Sequence, residues 1–145
     1  MLSEYAPKLP PYSVVVAEDN QVLRDLLVQQ LADHGHTIAG VASTGIDVVE
    51  LVGRLRPDVA VIDRGLPLQD GLAASRDIAA QSPTPVVVLS GYLSRDDPEE
   101  EAEEAGAQVF LAKPYTMEEL EDALQYAVRR FSSKLNSLGA SPKCG

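Results

Sequence analysis

Short unbroken apolar runs alternate along this chain with longer stretches in which apolar residues recur every three or four positions. The runs lie at 14–17, 59–62 and 86–89, with weaker ones at 37–41 and 108–111. A run without alternation suits a strand covered on both faces, as in a parallel sheet, because a strand with one wet face would alternate. Between the runs the rhythm is helical. Val22, Leu23, Leu26, Leu27, Gln30 and Leu31 recur at helical spacing behind Asn20, a suitable N-cap. Ile46, Val49, Val52 and Leu55 predict a second helix over 44–55, which Pro57 stops. Further helices are predicted over 71–80, 98–105 and 116–131, the last opening on Thr116 with Glu119 three residues on, the capping-box spacing. Strand and helix alternate five times. That order requires parallel strands joined by right-handed crossovers and predicts an α/β fold, a five-stranded doubly wound parallel sheet.

Composition narrows the class. The 145 residues suit one domain, and 45% hydrophobic with 23% charged residues is the balance of a soluble globular chain. Aromatics are 5%, so the core must be aliphatic. Residues 1–11, with three prolines, are read as an extended N-terminal lead-in, 12–131 as the domain, and 132–145 as a flexible tail or linker stub. With no long apolar span and no basic start before an apolar run, a cytoplasmic protein without membrane contact is expected. The single cysteine, Cys144, supports neither a disulfide nor a thiolate metal site. A formal net charge of −10 argues against direct nucleic-acid binding, which needs clustered Lys and Arg. Part of that charge is the block 96–104, read as a solvated helix face; the sharper reading is a docking surface for a basic partner.

In an open doubly wound sheet, ligands bind beyond the carboxyl ends of the strands. Glu18 and Asp19 follow the first run, Asp63 the third, Ser90 the fourth and Lys113 the fifth, before Pro114. Three carboxylates held close repel one another unless a cation neutralises them, and hard oxygen donors suit Mg²⁺. Three carboxylates, Mg²⁺ and Lys113 sum to zero charge, a site able to receive a phosphoryl group. No P-loop is present, and no credible Ser, His and Asp set. His34 and His36 flank Gly35 at the end of the first helix, where capping and solvent contact account for them.

The segment from Asp63 through Gly65, Pro67 and Asp70 to Gly71 resembles the phosphoacceptor stretch of bacterial response-regulator receiver domains. The acidic pair Glu18 and Asp19 before Asn20, the Ser90-Gly91 pair, and Phe110 to Pro114 match the family's other signatures in order and spacing. The resemblance covers about 12–131. It implies a flavodoxin-like (βα)5 fold with strand order 2-1-3-4-5, and a phosphoacceptor in a two-component phosphorelay, not a conventional enzyme. Asp63 would take phosphoryl from a phosphohistidine on a sensor histidine kinase or histidine phosphotransfer protein. Glu18, Asp19, Asp63 and the Gly65 backbone carbonyl would hold Mg²⁺, Lys113 would pair with carboxylate or phosphate, and the Lys113–Pro114 peptide would be cis. Ser90 would bind a phosphoryl oxygen, and Phe110 would turn inward as Ser90 moves. The output face, 98–131, would meet a downstream protein or detached effector domain, or form a dimer on phosphorylation. Glu18 stands where Asp is also common and Ser90 where Thr is more usual. Gly65 and Tyr92 occupy the positions that tune dephosphorylation.

Two other functions fit the architecture. A flavodoxin-like electron carrier would need a hydroxyl- and glycine-rich phosphate loop where Glu18 and Asp19 stand. A non-phosphorylated pseudo-receiver, acting only by protein contact, is opposed by the intact acidic set. No helix-turn-helix output is read after 131, so a stand-alone regulator and a segment of a longer chain both remain open.

Overall fold

The computed structural model describes residues 6–91 and 105–137. Five parallel strands, β1 (Ser13–Ala17), β2 (Thr37–Ala42), β3 (Val59–Asp63), β4 (Val86–Ser90) and β5 (Val109–Ala112), form one sheet in the order β2-β1-β3-β4-β5. Among the described residues four helices accompany them: α1 (Gln21–Asp33), α2 (Gly45–Leu55), α3 (Gly71–Gln81) and α4 (Met117–Ser137). The helix read over 98–105, the acidic block 96–104, Tyr92 and Cys144 lie outside the described residues, apart from Ala105 in a turn.

The apolar runs are unbroken because alternate residues supply two cores. Val15, Ala60, Ile62, Val86 and Val88 face one, closed by Val48 and Val52 of α2 and Ala74 and Ile78 of α3. Val14, Val16, Val59, Val61, Val87 and Leu89 face the other, closed by Leu27 and Leu31 of α1 and Leu120, Leu124 and Val128 of α4. The central strands β3 and β4 are buried throughout, whereas the edge strands β2 and β5 are partly exposed, which explains their weaker patterns. The caps sit where expected: Asn20 accepts from Leu23 N–H at 3.0 Å, and Thr116 and Glu119 cap one another's backbone N–H groups at 3.0 and 2.9 Å.

Several readings of individual faces need correction. Of the apolar set on α1, Leu27 and Leu31 are buried, but Val22, Leu23 and Leu26 are 76%, 46% and 52% exposed, because the apolar stripe is wider than the strip that meets the sheet. On α2, Val52 of the set read from spacing is buried and Val49 packs against the core, but Ile46 and Leu55 are exposed while Val48 and Gly45 are buried, so the buried face is turned toward Val48. Helix α4 passes Phe131 and runs to Ser137 through the stretch read as tail, with Leu135 extending the line of Val128 and Phe131. His34 is an exposed capping residue as expected, its Nδ1 3.0 Å from the Gln30 carbonyl. His36 is not solvent-facing. It is buried, stacked on the Tyr12 ring; its Nδ1 accepts from Tyr12 N–H at 2.9 Å, so Nε2 bears the proton and donates to the Glu121 carboxylate.

The described part of the lead-in is tied to the base of the sheet. Asp58 accepts from Lys8 Nζ at 2.7 Å and from Ser13 N–H at 2.8 Å. Partial burial would raise its pKa, but the Lys8 and Ser13 hydrogen bonds and the Lys8 charge outweigh this and hold it below the usual carboxylate value. A depressed folded pKa stabilises the fold above the unfolded value of about 3.9, and that contribution is lost as pH falls through the folded pKa. Asp58→Asn keeps an oxygen for Ser13 N–H but loses the screened Lys8 pair, so it is expected to lower stability by about 0.5–1 kcal/mol at pH 7, the deficit shrinking toward pH 3 in urea titrations. An equal deficit at both pH values would contradict the charge argument.

Candidate functional site

Parallel strands deliver their carboxyl ends to one edge, and this sheet's chemistry collects there. The β1 end passes directly into Glu18 and Asp19, β3 and β4 end on Asp63 and Ser90, and β5 leads into Lys113. The Asp63 carboxylate is held at both oxygens: Lys113 Nζ donates to Oδ1 at 2.5 Å and Gly65 N–H to Oδ2 at 3.0 Å. Lys113 Nζ also lies 3.4 Å from Glu18 Oε1. Glu18 is buried; its Oε2 accepts from Asn20 N–H at 3.2 Å, and its carbonyl accepts from the Arg24 guanidinium at 3.1 Å.

Burial, with the neighbouring charge of Asp63, pushes the Glu18 carboxyl above its ordinary pKa despite the Asn20 hydrogen bond and the Lys113 charge. For Lys113, burial alone would lower the pKa, but the hydrogen bond and charge of Asp63, then Glu18, hold it above the usual lysine value. The ammonium therefore stays charged over the Asp63 carboxylate. One carboxylate oxygen each from Glu18, Asp19 and Asp63 lies within 4.8 Å of the others, a compact hard-oxygen set that fits a divalent cation such as Mg²⁺.

The loop after β3 is shaped by close backbone approach. Gly71 N–H donates to the Arg64 carbonyl at 2.8 Å, and a Cβ on Gly71 would lie 2.5 Å from the Asp63 carbonyl oxygen. Only glycine lets α3 start so near Asp63. Asp70 caps α3 by accepting from Ala73 N–H at 2.8 Å. Between Pro67 and Gln69, Leu68 adopts φ 68° in a turn closed by Gln69 N–H to the Pro67 carbonyl at 2.8 Å. A left-handed leucine is strained backbone, here beside the site.

The cleft holds about 440 Å³ and is lined by Asp63, Arg64, Gly65, Asp70, Ser90 and Lys113, with Gly91. Ser90 is buried in its wall, and its carbonyl accepts from Lys113 N–H at 2.8 Å. The Lys113–Pro114 peptide is cis, as expected. Glu18, Asp19, Asp63, Gly65, Ser90 and Lys113 thus converge. Phe110 does not line the cleft; it is half-buried against the core of α2 and α3, with the Arg64 guanidinium carbon 5.8 Å from its ring centroid. A neighbouring groove of about 430 Å³ is lined by Leu23, Leu26 and Leu27 of α1 with Tyr115, and Glu18 and Lys113 line it as well.

Sequence reasoning missed Arg64, Arg24 and Tyr115. Each carried a signal in its place: Arg64 directly follows Asp63, Tyr115 lies two residues after Lys113, and Arg24 stands one turn into α1, six residues from the Glu18 carbonyl that it meets.

The response regulator receiver domain model matches residues 14–125. The chain is 37% identical over 121 residues to the transcriptional regulatory protein PdtaR of Mycobacterium tuberculosis, covering 83% of this chain and 58% of that one. It is 34% identical over 121 residues to the KDP operon transcriptional regulatory protein KdpE of Escherichia coli, covering 83% and 53%. The chain therefore spans little more than half the length of these relatives. Among solved structures, the receiver domain of a sensor histidine kinase from Pseudomonas aeruginosa, with magnesium coordinated in its active-site cleft, superposes with a TM-score of 0.72 at 30% identity, covering 82% of this chain and 98% of that one. The strand order, the acidic set at the carboxyl edge and a family match spanning most of the chain agree, and this chain belongs to the response regulator receiver domains of two-component systems.

Proposed function

We propose that this receiver domain accepts a phosphoryl group on Asp63 from a phosphohistidine on a sensor histidine kinase or histidine phosphotransfer protein, and changes its partner-binding face in consequence. The observation that carries this reading is the Asp63 carboxylate, gripped by Lys113 and Gly65 N–H within a set of three carboxylates at the mouth of an open cleft. Phosphoryl transfer needs chiefly a positioned in-line nucleophile and neutralised charge. An Asp63 oxygen forms the new bond to phosphorus as the donor's nitrogen–phosphorus bond breaks, its electron pair leaving with the imidazole. Lys113 offsets charge on the incoming group, and the Ser90 hydroxyl donates to a phosphoryl oxygen after transfer. Phe110 then turns inward and alters the face formed by β5 and α4. Glu18, Asp19, Asp63 and the Gly65 carbonyl would hold Mg²⁺, which when bound supplies charge neutralisation to the phosphoryl oxygens. The apolar groove along α1 shares Glu18 and Lys113 with the acceptor site, so a donor protein seated on Leu23 and Leu26 would present its phosphohistidine to Asp63. Among the described residues no helix is long and apolar enough to cross a membrane.

With Mg²⁺ and a small phosphodonor such as acetyl phosphate, intact mass is expected to rise by one phosphoryl group, removable by hydroxylamine as an acyl phosphate should be. No uptake by the folded protein would overturn the proposal. Asp19→Asn should weaken Mg²⁺ binding by at least about tenfold, because a site of so few protein ligands cannot spare a carboxylate. An unchanged Mg²⁺ titration would show that the acidic pair has another role.

A further inference from the structure

We infer that Arg64 is a positioning residue that couples the charge on Asp63 to the side chain of Phe110, resting on the ring while Asp63 is a carboxylate and drawn to the acceptor once it is phosphorylated. The inference rests on the phosphoacceptor reading of Asp63 and extends it to a residue outside the acidic set.

The backbone of Arg64 is fixed on both sides. Its N–H donates to the Leu89 carbonyl of β4 at 2.8 Å, and its own carbonyl accepts from Gly71 N–H at 2.8 Å. A response at this position must come from the side chain. In the order β3-β4-β5, Arg64 follows the end of β3 and Phe110 lies on β5, so the side chain crosses β4 to reach the ring. Arg64 also lines the cleft with Asp63, Ser90 and Lys113. One side chain therefore borders both the acceptor and the aromatic residue proposed to move.

Charge supplies the direction. The carboxylates of Glu18, Asp19 and Asp63 sum to zero with Lys113 and one divalent cation. Transfer forms an Asp63 oxygen–phosphorus bond, breaks the donor's bond to phosphorus and sends that electron pair out with the donor. A carboxylate with one negative charge becomes an acyl phosphate with two. The site gains one negative charge that Lys113 and the cation no longer balance, and Arg64 is the remaining cation in the cleft wall among the described residues. A guanidinium fork meets a phosphoryl group with two charge-assisted hydrogen bonds, a stronger attraction than the ring face offers. As the guanidinium shifts, Phe110 loses the group lying over it and is released to turn.

The chain has two phenylalanines, Phe110 and Phe131, so fluorophenylalanine labelling yields two fluorine resonances. Wild type, Arg64→Met and Arg64→Lys are compared with and without Mg²⁺ and beryllofluoride, a stable phosphoryl mimic, at saturation. In wild type the Phe110 resonance should move on addition. In Arg64→Met, an unbranched chain without charge, that movement should fall by at least half, while Arg64→Lys should retain most of it. Movement in Arg64→Met equal to wild type would overturn the coupling and leave the phosphoacceptor reading intact. A wild-type Phe110 resonance that stays fixed at saturation would instead overturn the Phe110 switch, and this inference with it.

Discussion

Asp63→Asn is expected to take up no phosphoryl group from a small phosphodonor under conditions that label the native chain fully, a loss of at least about a hundredfold in rate. The neutral amide oxygen is a far poorer nucleophile than a carboxylate, and nothing in the site could remove a proton from the amide to restore it. The substitution preserves shape. The amide oxygen of Asn can still accept from Gly65 N–H, now 3.0 Å from Asp63 Oδ2, and Lys113 keeps Glu18 at 3.4 Å. A fold that persists separates loss of the nucleophile from loss of structure. The check is intact mass after incubation with acetyl phosphate and Mg²⁺, with a thermal melt beside it. Labelling of Asp63→Asn at the wild-type extent would remove Asp63 from the mechanism.

Ser90→Ala should separate receiving the phosphoryl group from reporting it. Ser90 closes β4 and is buried in the cleft wall with Asp63 and Lys113, and in the proposed mechanism its hydroxyl meets a phosphoryl oxygen after transfer. Its hydrogen bond would then exist in one state of the switch and not the other, and only such differential contacts shift an equilibrium. A hydrogen bond to a charged group contributes about 1.5–3 kcal/mol, which moves a two-state population about ten- to a hundredfold. Compared at matched phosphorylation, Ser90→Ala should lose most of the phosphorylation-dependent gain in affinity for a downstream partner. Phe110→Ala should weaken the same coupling if, as proposed, the ring packed against the α2 and α3 core is the part that moves. A full gain in Ser90→Ala would mean that the signal leaves the site by another route.

Much of this was readable in the residues because the physics behind it is local. An unbroken run such as 86–89 marks a strand covered on both sides wherever it occurs, and Asn20 and Thr116 cap helices through bonds spanning only a few residues. Five strands joined by helices leave few topologies, and parallel strands place their carboxyl ends on one edge, so Glu18, Asp19, Asp63, Ser90 and Lys113 could be assigned to one place before any distance was known.

Tertiary structure alone decided what each element met. Periodicity marks α1 and α2 as amphipathic but leaves their rotation open, so Leu27 and Leu31 became core while Leu23 and Leu26 were left to line a groove beside Lys113. His36 looked like a solvent-facing neighbour of Gly35 because its partners, Tyr12 and Glu121, lie far away in the chain. Arg64 could be seen beside Asp63 in sequence, but not above Phe110, because that contact exists only once β4 lies between β3 and β5. Hydrophobic spacing and capping act over one turn or one strand and so can be read from the chain itself. Helix rotation, burial of a lone polar ring and contact across a strand depend on surfaces brought together from distant positions, and these are settled only when the whole sheet is assembled.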